Sequence, residues 1–129
     1  MRKTLTILYV FDQQRSKAFY QAILQTKPLL DVPGMTEFSL NEGASLGLMP
    51  EEGIHRILGN DVPHPKTGNG IPRCELYLFV ENPKQAYQRA CDAGAKPISP
   101  VTLRNWGDEA GYVGDPDGHI IVFANQPAV

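Results

Sequence analysis

The 129-residue sequence predicts an α+β fold in which two βαβββ modules build a curved, partly closed mixed sheet. Three observations carry that expectation. Short β-rich runs alternate with two amphipathic helical stretches. The order of elements in the first half returns in the second. Finally, Asp115-Pro116-Asp117-Gly118 is turn chemistry between two strand-like runs. Proline presets the second turn position, Asp115 can bond back to the turn backbone, and Gly118 can take a positive φ at no steric cost.

Leu5 to Phe11 is β-rich and reads as the first strand. Asp12 is a plausible N-cap, and Phe19, Tyr20, Ile23 and Leu24 recur at helical spacing, so Gln14 to Leu24 is expected to be an amphipathic helix that Lys27-Pro28 ends. Leu29 to Val32, Met35 to Leu40 and Ala44 to Met49 read as three strands, with turns at Pro33-Gly34 and Asn41-Glu42-Gly43. Residues 51–72 are rich in glycine and proline with little periodicity, and are expected to link module one (1–50) to module two (73–126), with one short helical turn near Ile54 to Leu58. The whole, 1–129, is expected to be one domain.

The second module opens with a strand, Cys74 to Glu81. Asn82-Pro83 is an N-cap followed by proline at the first helical position, Ala86, Tyr87, Ala90 and Cys91 share a helix face, and Gly94 closes the helix. Pro97 and Pro100 leave Lys96 to Leu103 an edge strand at best. Glu109 to Val113 and Gly118 to Ala124 complete the pattern. Asp12 and Asn82 correspond at an offset of 70 (82 − 12), and Gly43 and Gly118 at an offset of 75 (118 − 43). The repeat is one of pattern rather than of residues.

Bulk properties narrow the function. Twelve basic and 14 acidic residues give a formal charge of −2, and the basic residues are scattered, so no nucleic-acid or anionic-membrane surface is expected. No apolar run approaches the roughly 18–20 residues that span a bilayer. The apolar stretch from Leu5 has no small-residue cleavage site, and only Cys74 and Cys91 occur, so a cytoplasmic protein with two reduced, small, buried thiols is expected. No Ser/His/Asp arrangement, CxxC or glycine-rich phosphate loop is present.

In this order and spacing, Val10 to Tyr20 in the first module, with Gly107 and Gly114-Asp115-Pro116-Asp117-Gly118 in the second, resemble the vicinal oxygen chelate superfamily. That group contains glyoxalase I, the bleomycin resistance proteins and the extradiol dioxygenases. The resemblance covers nearly the whole chain and implies a homodimer. It also implies metal ligands on the first and last strand of each module, and the four positions here are Leu5, Gly47, Glu75 and Val122. Only Glu75 is a donor, whereas a divalent cation takes roughly four to six N, O or S ligands. The expectation is therefore no metal and no cofactor. His55 and His64 read as solvated loop histidines, and His119 alternates with Ile120 and Val122, away from the ligand face.

The candidate ligand-binding residues are Tyr9, Gly47, Glu75, Tyr77, Trp106 and Val122. Period-two alternation puts Glu75, Tyr77 and Phe79 on one face and Cys74, Leu76, Leu78 and Val80 on the other. Glu75 in a partly apolar cleft would anchor a ligand, or serve as acid or base if the protein is an enzyme; otherwise it is a remnant paired with Arg73 or Arg104. Tyr9 either lines the cleft or belongs to the core. Trp106, on a loop, either lids the cleft or packs at a dimer contact. Gly47 and Val122 would leave room where a metal sits in relatives. The function these residues favour is metal-independent binding of a small, partly apolar organic molecule, in the manner of the bleomycin resistance proteins. The alternatives are a glyoxalase-like lyase or isomerase, or a dioxygenase-type metalloenzyme with a non-standard metal site, and a non-catalytic protein-interaction module.

Overall fold

The structure, a computed structural model, describes residues 1–127 and divides into two compact units, 1–70 and the remainder from Ile71. In the first, β1 (Thr4–Val10) leads to α1 (Gln13–Leu24), then β2 (Leu30–Val32), β3 (Met35–Asn41), β4 (Ala44–Pro50) and α2 (Glu51–Leu58). Its sheet has the order β1-β4-β3-β2, with β1 parallel to β4 and the other pairs antiparallel. Asp12 caps α1 by accepting from the Arg15 N–H at 3.1 Å. The stripe Ser16, Phe19, Tyr20 and Ile23 is buried, and α1 lies against β3 and β4, whose Phe38, Leu46 and Leu48 are buried too. Phe19 and Tyr20 meet edge to face at 5.1 Å.

The stretch expected to be a linker is part of this unit. Eight residues of it form α2, which packs on β4 and β1 through the buried Ile54, and two 3-10 turns follow at Gly59–Asp61 and Pro65–Gly68. Its histidines are not free in solvent. The His64 ring is mostly covered, with Nε2 3.0 Å from Glu52 Oε1 and Nδ1 accepting from the Lys66 N–H, and it stacks on His55 at 4.4 Å.

The second unit repeats the plan as β5 (Glu75–Phe79), α3 (Pro83–Asp92), β6 (Lys96–Leu103), β7 (Glu109–Gly114) and β8 (Ile120–Asn125), with sheet order β5-β8-β7-β6 and β5 parallel to β8. Each sheet keeps two open edges, so neither closes into a barrel. Asn82 caps α3 as Asp12 caps α1, accepting from the Gln85 N–H at 3.1 Å. The proline-broken run forms an eight-residue edge strand, β6, with register shifts beside Pro97 and beyond Ser99. The Asp115–Gly118 turn closes as its chemistry requires: the Gly118 N–H reaches Asp115 O at 3.0 Å with φ at +91°, and Asp115 Oδ1 accepts from the Asp117 and His119 N–H groups.

The repeat holds in register. Ile7 faces Gly47 in the first unit, and Tyr77 faces Val122 in the second, which reproduces the offsets of 70 (77 − 7) and 75 (122 − 47). Both cysteines are free, but neither is fully buried as expected: Cys74, just before β5, is exposed and Cys91 on α3 is half-buried.

Candidate functional site

In the second unit Tyr77, Val122 and Tyr112 stand side by side on three adjacent strands. Alternation brings their side chains to one face of the sheet. There Val122, Ala110 and Ala124 form a buried cluster, with Tyr77, Tyr112 and Ile120 packed against it. At one end of the row Tyr77 Oη donates to Asp108 Oδ2 at 2.7 Å, and Trp106 Nε1 donates to Tyr77 Oη at 2.9 Å. The turn between β6 and β7 sets this chain of bonds. The Arg104 N–H reaches Asp108 O at 2.8 Å, the Gly107 N–H reaches Arg104 O at 3.0 Å, and Gly107 holds φ at +99°, a conformation glycine adopts without a side-chain clash. The turn thus carries Trp106 and Asp108 to the two sides of one hydroxyl. Burial pushes the Tyr77 phenol above its ordinary value; the indole N–H opposes that, and the Asp108 carboxylate adds to it. The hydroxyl therefore stays a donor well into alkaline solution.

At the other end, the Arg104 guanidinium lies 5.0 Å over the Tyr112 ring. Its Nε and Nη2 N–H groups go to Ser99 Oγ and to the carbonyls of Pro100 and Ala110, so it staples the turn to β6 and β7 instead of facing a carboxylate. Two aromatic rings beside the chain reach solvent: Trp106 is 59 % exposed and Phe79, centred 5.2 Å from Tyr77, is 66 % exposed.

The candidate residues sort as follows. Tyr77 and Trp106 are hydrogen-bonded to one another. Val122 is fully buried beneath the tyrosines, so it forms the floor of this face and offers no open space. Glu75 begins β5 two residues from Tyr77, but it is exposed and has neither a side-chain hydrogen bond nor an ion pair among the described residues. The burial that an acid–base role requires is missing, and so is the pairing with Arg73 or Arg104. Tyr9 and Gly47 belong to the first unit, where Tyr9 is 37 % exposed on β1. The space at Gly47 is taken: a Cβ there would sit 3.1 Å from Ile7 Cγ1, 3.3 Å from Met35 Sδ and 3.4 Å from Leu5 Cδ1. The room expected at Gly47 and Val122 is filled by apolar side chains.

Two carboxylates escaped the sequence reading. Asp108 sits in a turn, where periodicity is silent; its one signal is an acid two residues after the sole tryptophan. Glu37, midway along β3, has the position in the first unit that Tyr112 has in the second, opposite Gly47 as Tyr112 is opposite Val122. Alternation on β3 could have found it, as a charge on the face opposite Thr36 and Phe38. The Lys3 ammonium, with help from Ser45, holds Glu37 below the usual carboxylate range.

A metal centre of the kind the vicinal oxygen chelate enzymes carry does not fit these residues. Among the described residues no three His, Cys, Asp or Glu side chains converge as a cation would need.

Comparison with known proteins agrees with this architecture. The family model for a glyoxalase-like domain matches residues 3–126. An uncharacterized protein of Mycobacterium bovis is 27 % identical over 115 residues, which span 87 % of this chain and 75 % of that one. Among solved structures, a glyoxalase-related enzyme from Fulvimarina pelagi is similar with a TM-score of 0.81 at 23 % identity, covering 96 % of this chain and 88 % of the other. A glyoxalase/bleomycin resistance protein from Catenulispora acidiphila gives 0.68 at 19 % identity, covering 98 % and 100 %. At such identities these two likenesses speak to the fold alone.

Proposed function

The chain belongs to the glyoxalase-like domain family, and from that premise we propose that it binds a small, partly apolar organic molecule without a metal, as a bleomycin resistance protein does. One observation carries the reading. The Trp106–Tyr77–Asp108 hydrogen-bond chain holds an indole plate in solvent, and the exposed Phe79 ring lies 5.2 Å from that of Tyr77. An exposed tryptophan and phenylalanine usually retreat from water; fixing one by its N–H while its face stays bare suits stacking on a flat ligand. The ligand-binding residues are then Trp106, Tyr77 and Phe79, with Val122 beneath them. Glu75, exposed at the strand's start, is at most a rim contact.

The absence of a donor set among the described residues supports metal independence. The edge strand β2, with Leu30 and Val32 exposed and the exposed Leu29 just before it, supports assembly as a homodimer. No described helix is long and apolar enough to cross a membrane, which is in keeping with a cytoplasmic protein.

Elemental analysis and a thermal-shift screen test the reading together. The expected result is metal well below stoichiometric and a raised melting temperature with some flat aromatic compounds. Near-stoichiometric nickel, zinc, iron or manganese would overturn metal independence. A screen in which no small molecule shifts the transition would favour a protein-interaction module instead.

A further inference from the structure

The site's hydrogen-bond polarity narrows the ligand class, on the premise that the face around Trp106 is a binding site. Asp108 is 8 % exposed, and its Oδ2 takes the Tyr77 hydroxyl. Its Oδ1 has no partner among the described residues and is not sealed from solvent. The guanidinium nearest in sequence, that of Arg104, is bound to backbone carbonyls and Ser99 and does not pair with it. The donors of the chain are all committed: the indole N–H to Tyr77, and the Tyr77 proton to Asp108. What remains is one carboxylate oxygen with lone pairs to fill, an aromatic plate at Trp106 and another at Phe79. An anionic or acceptor-rich ligand would find neither of these protons free beside Asp108; the side-chain cation of this face, Arg104, stands at the far end of the row over Tyr112. A cation with N–H groups on a flat apolar body would fit the Asp108 end, its charge on the carboxylate and its body on the rings.

We infer that the Asp108–Tyr77–Trp106 cluster recognises an organic cation, an ammonium or amidinium group borne on a planar apolar framework. Tyr77 positions the carboxylate and the indole relative to each other, and Asp108 supplies the polarity that selects charge.

Trp106 is the chain's only tryptophan, so its fluorescence reports this site alone. The full chain is titrated with 4-phenylbenzamidine, 4-phenylbenzamide and biphenyl-4-carboxylate, three probes of one shape that differ in charge. The amidine is expected to bind at least about tenfold more tightly than the amide, in line with a charge-assisted bond, and the carboxylate more weakly than either. In Asp108→Asn the amidine should lose its advantage, so that the amidine and amide converge. If that variant does not fold, the wild-type chain is titrated at low and at high salt instead; the amidine's advantage over the amide should shrink in high salt. Equal binding of the three probes, or a preference for the carboxylate, overturns the inference and leaves the binding reading intact. A preference indifferent to salt, or one that survives in Asp108→Asn, removes Asp108 as the selector. No response to any probe counts against the binding reading itself.

Discussion

The two units share a topology and a register, yet their equivalent positions do different chemistry. The row Ile7–Gly47–Glu37 in the first matches Tyr77–Val122–Tyr112 in the second. In the first, aliphatic side chains crowd the glycine, and the lone carboxylate is neutralised by Lys3. In the second, the row has two tyrosines, and its carboxylate, Asp108, comes from a turn and pairs with no cation among the described residues. The backbone plan is thus a scaffold that tolerates either content, and polarity is decided by a few side chains on one face. The first unit looks after itself, whereas the second leaves valences and ring faces open.

Helix packing separates the units most sharply, and it gives the largest expected effect. Gly111 has the place of Thr36, at the same offset of 75 (111 − 36). Thr36 fits a side chain there and bonds it to Asp31 and Gln13. At Gly111 a Cβ would lie 2.5 Å from Val101 Cγ2, 2.8 Å from Tyr87 Cδ2 and 3.1 Å from the Val101 backbone nitrogen. The α3 face of Ala86 and Ala90 lets that helix sit close, where α1 presents Phe19, Tyr20 and Ile23. Gly111→Ala should cost about 1–3 kcal/mol in chemical denaturation, as overpacking does. Gly47→Ala should cost less, because it meets only side-chain atoms that can give way. Equal losses would mean that the close approach of α3 does not constrain the second unit.

The next comparison sets Tyr77 against its counterpart Ile7. Tyr77→Phe keeps the ring but leaves the Trp106 N–H and the mostly buried Asp108 carboxylate without their partner. The expected loss is about 1–3 kcal/mol, with Trp106 emission shifted by the freed indole. Ile7→Val removes one methyl group and should cost about 0.5–1.5 kcal/mol with no change in emission. An unchanged spectrum in Tyr77→Phe would show that the indole does not depend on that hydroxyl. The caps should behave alike, since Asp12 and Asn82 accept from the third residue onward at the same 3.1 Å. Alanine at either should cost about 1 kcal/mol, and a clear difference would mark one helix as held mainly by its packing.

Periodicity made the strands, both long helices and the duplication legible, because buried faces impose it and offsets of 70 and 75 expose it. It fell short in residues 51–70, where it gave one helical turn near Ile54 to Leu58 while α2 begins at Glu51 and has a single buried anchor, Ile54. It failed in a second way at Glu75. Alternation tells which face a residue shares, not how deep it lies, and the acid chosen as the buried anchor is exposed. Tyr77 and Trp106 each read from the sequence as candidate ligand-binding aromatics. Their bond to one another, across 29 residues, and the acid that completes it depend on a turn geometry that no repeat encodes.

The smallest expected effect concerns the carboxylates of the two rows. Lys3 holds Glu37 below its ordinary value of 4.5, and Ser45 adds to this. A group whose folded value is lowered stabilises the fold above its unfolded value and loses that contribution as the pH falls through the folded one. The wild-type chain should therefore lose stability steadily as the pH drops below about 4.5, and Glu37→Gln should flatten part of that slope while lowering stability near neutrality. The pair is partly open to water and screened by salt, so the change in midpoint should be small and should shrink further in high salt. Denaturant midpoints collected between pH 3 and pH 7 at two salt concentrations measure it. An identical slope in wild type and Glu37→Gln would mean that the Lys3 pair contributes nothing, and that the first unit's carboxylate is no better compensated than the second's.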